Sequence, residues 1–216
     1  STLIKMLVGI FPPDKGHIAV FGHDVRRDSL AAKQEIGYLP ENPFFYEYLT
    51  AEEFLAFYAG LLGFSAAETK ERVSYYLKLT DTFHSRKLQL RKFSKGMIQR
   101  IGIAQALIND PKVIFLDEPM SGLDPLGRRE VRDLILKLKS EKKTILFSTH
   151  ILNDVETLCD RVAVLSRGQL IGSGRLSDLI SKEVKYIEIL VSGMSYELAR
   201  SLFDPAASIT ESGSIL

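Results

Sequence analysis

Three short runs without polar alternation, residues 113–116 (VIFL), 144–147 (TILF) and 162–165 (VAVL), set the firmest limit on what this chain can fold into. A strand that is apolar on both faces has to be covered on both, as in a parallel sheet clothed by helices. Between the first two runs, Val131, Leu134, Ile135 and Leu138 recur at helical spacing across residues 126–139, with charges on the opposite face. Strand, helix and strand in that order make one unit of an α/β domain built on a mainly parallel sheet. Residues 18–22 and 36–39 read as shorter strands, and residues 2–9 as a helix that opens the chain. Residues 51–110 carry helical patterns with no convincing strand, which predicts an α-helical lobe inserted at about 42–110. After Gly174 the pattern weakens, with a strand expected at 186–191 and a short helix at 196–203.

A chain of 216 residues can bury roughly 70% of its unfolded surface in one core, so one large domain with a lobe is expected rather than two domains. The formal net charge of +1, without a long basic run, lacks the footprint of a nucleic-acid binder, and no nucleic-acid partner is expected. The only cysteine, Cys159, excludes an intrachain disulfide and reads as a small buried hydrophobe in a reducing compartment. No stretch approaches the roughly 18 apolar residues of a membrane span, so a membrane role has to come through a partner.

Chemistry concentrates in four places. Residues 113–116 run into Asp117-Glu118-Pro119, so a buried strand delivers two adjacent carboxylates to the carboxyl edge of the sheet, where open α/β folds bind ligands. Such a pair suits a hydrated Mg²⁺ at Asp117 and a water molecule at Glu118, although acidic pairs after strands are common. Ser94-Lys95-Gly96-Met97 precedes a helical run containing Ile98, Ile101, Ala104 and Ile108. Ser94 is a good N-cap and Gly96 permits close backbone approach, so the free N–H groups there suit a phosphate as well as an ordinary cap. Asp124-Pro125 fits a helix start, with Asp124 capping and Pro125 in the first turn. His150 stands just past the strand at 144–147, where its ring can donate to a terminal phosphate oxygen.

In this order the motifs resemble those of the ATP-binding cassette family, the ATPase subunits of membrane transporters, over about residues 1–175. Ser94 to Arg100 is similar to the family signature, Ile114 to Pro119 to its Walker B strand, Ser121-Gly122-Leu123-Asp124 to its D-loop, and His150 to its switch histidine. The resemblance implies a P-loop NTPase-like sheet and a nucleotide-binding domain at 1–175, with a C-terminal extension at 176–216. It implies ATP and Mg²⁺ as ligands, with Glu118 polarising the attacking water, His150 sensing the γ-phosphate and Asp117 in the Mg²⁺ shell. Ser94 and Gly96 would contact ATP held by a second ATPase subunit of a homodimer or heterodimer, with Asp124 at the same interface. Transmembrane permease subunits are the implied further partners, which places the protein at the cytoplasmic face of the cell membrane.

Ser1-Thr2-Leu3 resembles the end of a Walker A motif, with Ser1 giving its hydroxyl to Mg²⁺ and Thr2 near the α-phosphate. The glycine loop and its lysine would then precede Ser1, and residues 1–216 alone are expected to bind ATP poorly. Where the family carries a Q-loop glutamine, this chain has Glu41, a carboxylate able to approach Mg²⁺ but unable to donate as an amide does. Lys95 and Met97 replace the commonest Gly and Gln of the signature, a form that resembles a bacterial branch of exporters with separately encoded membrane subunits. Nine aromatic residues fall between Tyr38 and Phe64, a density that suggests a groove for a cytoplasmic helix of the permease, with Phe45 and Tyr48 among its lining. A soluble, non-transport ATPase of the same superfamily and a non-catalytic interaction module are the alternative readings. The single signature disfavours the first, and the intact Asp117, Glu118 and His150 disfavour the second for the parent protein but not for residues 1–216 alone.

Overall fold

The computed structural model describes residues 1–179. The chain opens with α1 (Thr2–Leu7), a hairpin of β1 (Ala19–Val20) and β2 (His23–Asp24), then α2 (Ser29–Gln34) and β3 (Ile36–Leu39). Three helices follow, α3 (Ala51–Leu61), α4 (Ala66–Leu79) and α5 (Lys95–Leu107), with two short 3₁₀ turns between the last two. Next come β4 (Val113–Asp117), α6 (Pro125–Ser140), β5 (Thr144–Ser148) and α7 (Leu152–Leu158). A second hairpin, β6 (Arg161–Ser166) with β7 (Gln169–Arg175), leads to α8 (Leu176–Leu179).

The sheet that positions the site has the order β3-β4-β5 and is parallel throughout. Its central strand, β4, is buried at all five positions, as an uninterrupted apolar run requires when both faces are covered. Parallel register sets Leu39 beside Leu116 and Asp117 beside Ser148, so all three strands deliver their carboxyl ends to one edge. The helix expected at 126–139 forms as α6, buried through Val131, Leu134, Ile135 and Leu138. Asp124 caps it by accepting from the Gly127 N–H at 2.9 Å, and Pro125 occupies its first turn, where a missing N–H costs nothing. One continuous apolar core runs from α3 and α4 through α5 and β4 to α6, and a smaller cluster of Ile4, Val8, Val25 and Phe115 seats α1 and the first hairpin.

Two expectations are corrected. Residues 162–165 do not join the parallel sheet: β6 pairs antiparallel with β7, and all of its residues except Val162 are exposed. Arg167 and Gly168 both have positive φ, 51° and 79°, so a two-residue turn brings β7 back onto β6 and local pairing takes up the ladder. The strand read at 18–22 is likewise only Ala19–Val20, because Phe21 and Gly22, at φ 48° and 86°, turn the chain into β2. The strand and helix expected at 186–191 and 196–203 lie outside the described residues.

Both helices of the α3–α4 pair begin with a reciprocal capping box. Thr50 and Ser65 accept from the N–H groups of Glu53 and Glu68, whose carboxylates in turn accept from the N–H and hydroxyl groups of the two caps. The bonds from Thr50 hold the Glu53 carboxyl below the usual range, and those from Ser65 do the same for Glu68. That contribution is present at neutral pH and is lost as acid protonates both groups below about pH 4. Thr50→Ala is expected to cost about 1 kcal/mol, read as a lower thermal midpoint at pH 7. The difference from the parent should shrink on acidification.

Candidate functional site

Asp117 ends the buried strand β4 and is itself wholly buried. Its Oδ1 accepts from Ser148 Oγ at 2.7 Å and from Ser1 Oγ at 3.1 Å, while Oδ2 has no partner among the described residues. An orphaned carboxylate oxygen beside a hydroxyl is costly unless a cation or donor reaches it, and this pair fits one hard divalent ion. No cluster of three or more metal-ligating side chains occurs among the described residues. Mg²⁺ is typically held in just this sparing way, by one or two protein oxygens with substrate phosphates and water completing its shell.

Glu118 follows at once with φ 50°, a left-handed backbone uncommon for a residue with a side chain. Its N–H donates to Ser148 Oγ at 2.9 Å, and its carboxylate, 20% exposed, accepts from His150 Nδ1 at 3.2 Å. With Nδ1 donating, Nε2 is the nitrogen of this largely exposed ring left for a ligand. Ser1, Asp117, Glu118 and His150 are thereby brought together by hydrogen bonds that converge on the carboxyl edge of β4 and β5. Thr2 is the first residue of α1, and Glu41 leaves the same edge two residues after β3, exposed. Neither side chain makes a hydrogen bond among the described residues. Tyr38 on β3 has its hydroxyl buried without a partner, and burial, followed by the Asp117 charge, pushes its pKa up, so it stays a neutral donor.

Ser94, Gly96 and Asp124 form a second group. Ser94 caps α5 by accepting from the Met97 N–H at 3.2 Å, and the start of α5 lies against the start of α6, where Gly96 faces Gly127. A Cβ on Gly127 would meet Asp124 Oδ1 at 2.7 Å, so the glycine keeps that cap in place. Lys95 reaches over Gly122 and fills the space a side chain there would need. No hydrogen bond among the described residues joins this group to Asp117, Glu118 or His150.

Two features had no signal in the sequence pattern. Ser148 bridges Asp117 and Glu118 from the neighbouring strand, a contact visible only once the strands are in register. Asp154, on the helix after His150, is completely buried and accepts from Arg132 of α6 at 3.0 Å. The aromatic cluster also divides. Phe45 is buried with its ring 5.1 Å from Phe54 and belongs to the core while also lining the groove beside it, whereas Phe44 and Tyr48 are 83% and 76% exposed. Cys159 is half-buried rather than buried, and burial pushes its thiol pKa up, away from reactivity.

Residues 1–121 match the family described as ABC transporter. The chain is 49% identical over 188 residues to an ABC transporter ATP-binding protein of Nostoc sp., covering 86% of this chain and 56% of that relative. It is 37% identical over 193 residues to the bacitracin transport ATP-binding protein of Bacillus licheniformis, covering 89% and 62%. Among solved structures it is similar to cbiO1 of Clostridium perfringens, part of the ABC transporter complex cbiONQ, with TM-score 0.73, 30% identity, and coverage of 82% of this chain and 72% of that one. The chain thus spans little more than half the length of such curated relatives.

Proposed function

This chain belongs to the ABC transporter family, and from that premise we propose that its complete protein binds and hydrolyses ATP to power an exporter through separate membrane subunits. The observation that carries the reading is the convergence of Ser1, Asp117, Glu118 and His150 at one sheet edge, with a buried Asp117 oxygen lacking any partner.

Phosphoryl transfer to water needs little covalent help, so the task of these residues is positioning and charge stabilisation. Asp117 and Ser1 would hold Mg²⁺, with Glu41 the further carboxylate on that edge. When bound, Mg²⁺ supplies positive charge to the phosphate oxygens. Glu118 accepts a proton from the attacking water, and its left-handed backbone fixes where the carboxylate stands. His150 uses Nδ1–H to hold Glu118 and turns Nε2 to the terminal phosphate, a contact that requires a proton on Nε2 as well, while Thr2 lies near the α-phosphate. Ser94 and the N–H groups at the start of α5, with Gly96 admitting close approach, receive the phosphates of ATP held by a second subunit. Asp124 lies at that same dimer interface. This trans role follows from the resemblance of Ser94 to Arg100 to the family signature. Steady-state hydrolysis by the complete protein, with and without Mg²⁺ and its membrane partner, tests the reading, and absence of Mg²⁺-dependent turnover would refute it.

No helix of the described residues is long and apolar enough to cross a membrane. Attachment to the cytoplasmic face through permease subunits is therefore part of the proposal, as is the exporter direction, which the Ser94-Lys95-Gly96-Met97 form and the bacitracin transport relative support. A groove of about 640 Å³ bordered by Phe44, Phe45, Tyr46, Tyr48, Leu90 and Arg91 is the proposed seat for a permease helix. Phe44→Glu and Tyr48→Glu are expected to weaken co-purification with the permease by about tenfold or more while leaving the thermal midpoint unchanged, since both rings are exposed. Undiminished association of both variants would reject the seat.

A further inference from the structure

We propose that Ser148 is a positioning residue that sets Asp117 and Glu118 as a single unit for ATP hydrolysis. The inference rests on the reading of Glu118 as the residue that polarises water, and adds what holds it there. Glu118 is the one non-glycine residue with positive φ among the site residues identified above, and a left-handed conformation of this kind costs on the order of 1 kcal/mol or more unless its surroundings fix it. The fixing contact is on the adjacent strand. Ser148 Oγ accepts the Glu118 N–H at 2.9 Å and donates its own proton to Asp117 Oδ1 at 2.7 Å. One hydroxyl thus uses its donor and an acceptor on the last residue of β4 and the residue that follows it.

The register makes this bridge specific. Asp117 stands directly beside Ser148 in the parallel ladder, and Ser148 is two residues before His150, which grips the Glu118 carboxylate from the other end. Glu118 is therefore held at its backbone by Ser148 and at its side chain by His150, both from the end of β5. Without the hydroxyl, the Glu118 N–H loses its acceptor and Asp117 Oδ1 loses its shortest hydrogen bond, with Ser1 Oγ at 3.1 Å the donor left to it. The Asp117 carboxylate is then less firmly held, which loosens the approach to Mg²⁺ as well as the aim of Glu118.

The test is steady-state ATP hydrolysis by the complete protein, titrated with Mg²⁺, for Ser148→Ala, Ser148→Thr and Glu118→Gln. Ser148→Ala is expected to lower kcat by about 10–100-fold and to raise the Mg²⁺ concentration for half-maximal rate, as loss of an outer-shell partner does. Ser148→Thr keeps the hydroxyl and should restore both. In the Glu118→Gln background at saturating Mg²⁺, Ser148→Ala should remove no more than about twofold further, because there the two changes act on one event. A kcat for Ser148→Ala within about twofold of the parent, alongside an inactive Glu118→Gln, overturns the proposal and leaves the reading of Glu118 standing. Near-normal turnover of Glu118→Gln overturns that reading and the proposal with it. Equal losses in the Ala and Thr variants overturn the role of the hydroxyl.

Discussion

Glu118→Gln in the complete protein should reduce ATP turnover by about 10²–10⁴-fold, the usual reach of a positioned general base. The substitution is close to isosteric: the amide oxygen can still accept from His150 Nδ1, and the backbone N–H can still donate to Ser148. What disappears is the negative charge and the capacity to take a proton from water. Fold and nucleotide binding should survive, since Glu118 contributes no side chain to the core and Asp117 keeps both of its hydroxyl donors. Hydrolysis then becomes the blocked step and an ATP-bound dimer should accumulate, visible as an earlier peak in gel filtration with Mg-ATP and absent with ADP. Turnover near that of the parent would remove Glu118 from the mechanism.

How much of this was legible follows from the range of each signal. Asp117 and Glu118 could be found because strand, burial and carboxylates are consecutive in the chain, and a buried parallel strand has only one end at which to present them. Asp124 and Ser94 were equally local, since a cap and the helix that it starts lie within three residues. Ser148 and Asp154 escaped because their partners, 30 and 22 residues away, come near only through strand register and helix packing. The apolar run at 162–165 misled for a related reason. Apolar content says that a strand forms but not which neighbour it takes, and the Arg167-Gly168 turn settled that locally. Phe45 and Phe44 are adjacent and chemically identical, yet one is core and the other surface, a distinction that composition does not carry.

Gly37 shows the same limit with the larger structural consequence. It lies in β3 and reads as a neutral interruption of a strand, but α5 crosses it so closely that a Cβ would fall well inside contact with the Ala106 carbonyl oxygen and 2.9 Å from Pro111 Cγ. The obstacle is backbone and a proline ring, neither able to swing aside. Gly37→Ala must therefore push α5 off the sheet or bend β3, and the cost is expected at the upper end of the about 1–3 kcal/mol typical of overpacking. For a chain of this size that lowers the thermal midpoint by about 6–12 °C. Because β3 borders β4, the displacement also reaches the strand that carries Asp117, so activity should fall with stability. Gly60 provides the control: it sits within α3, with ordinary negative φ and nothing within 4 Å of an added Cβ. There the same substitution removes only the entropy penalty of glycine in a helix, and Gly60→Ala should be more stable by about 0.5–1 kcal/mol. Equal thermal midpoints for the two variants would show that the approach of α5 to β3 does not set the packing of this sheet.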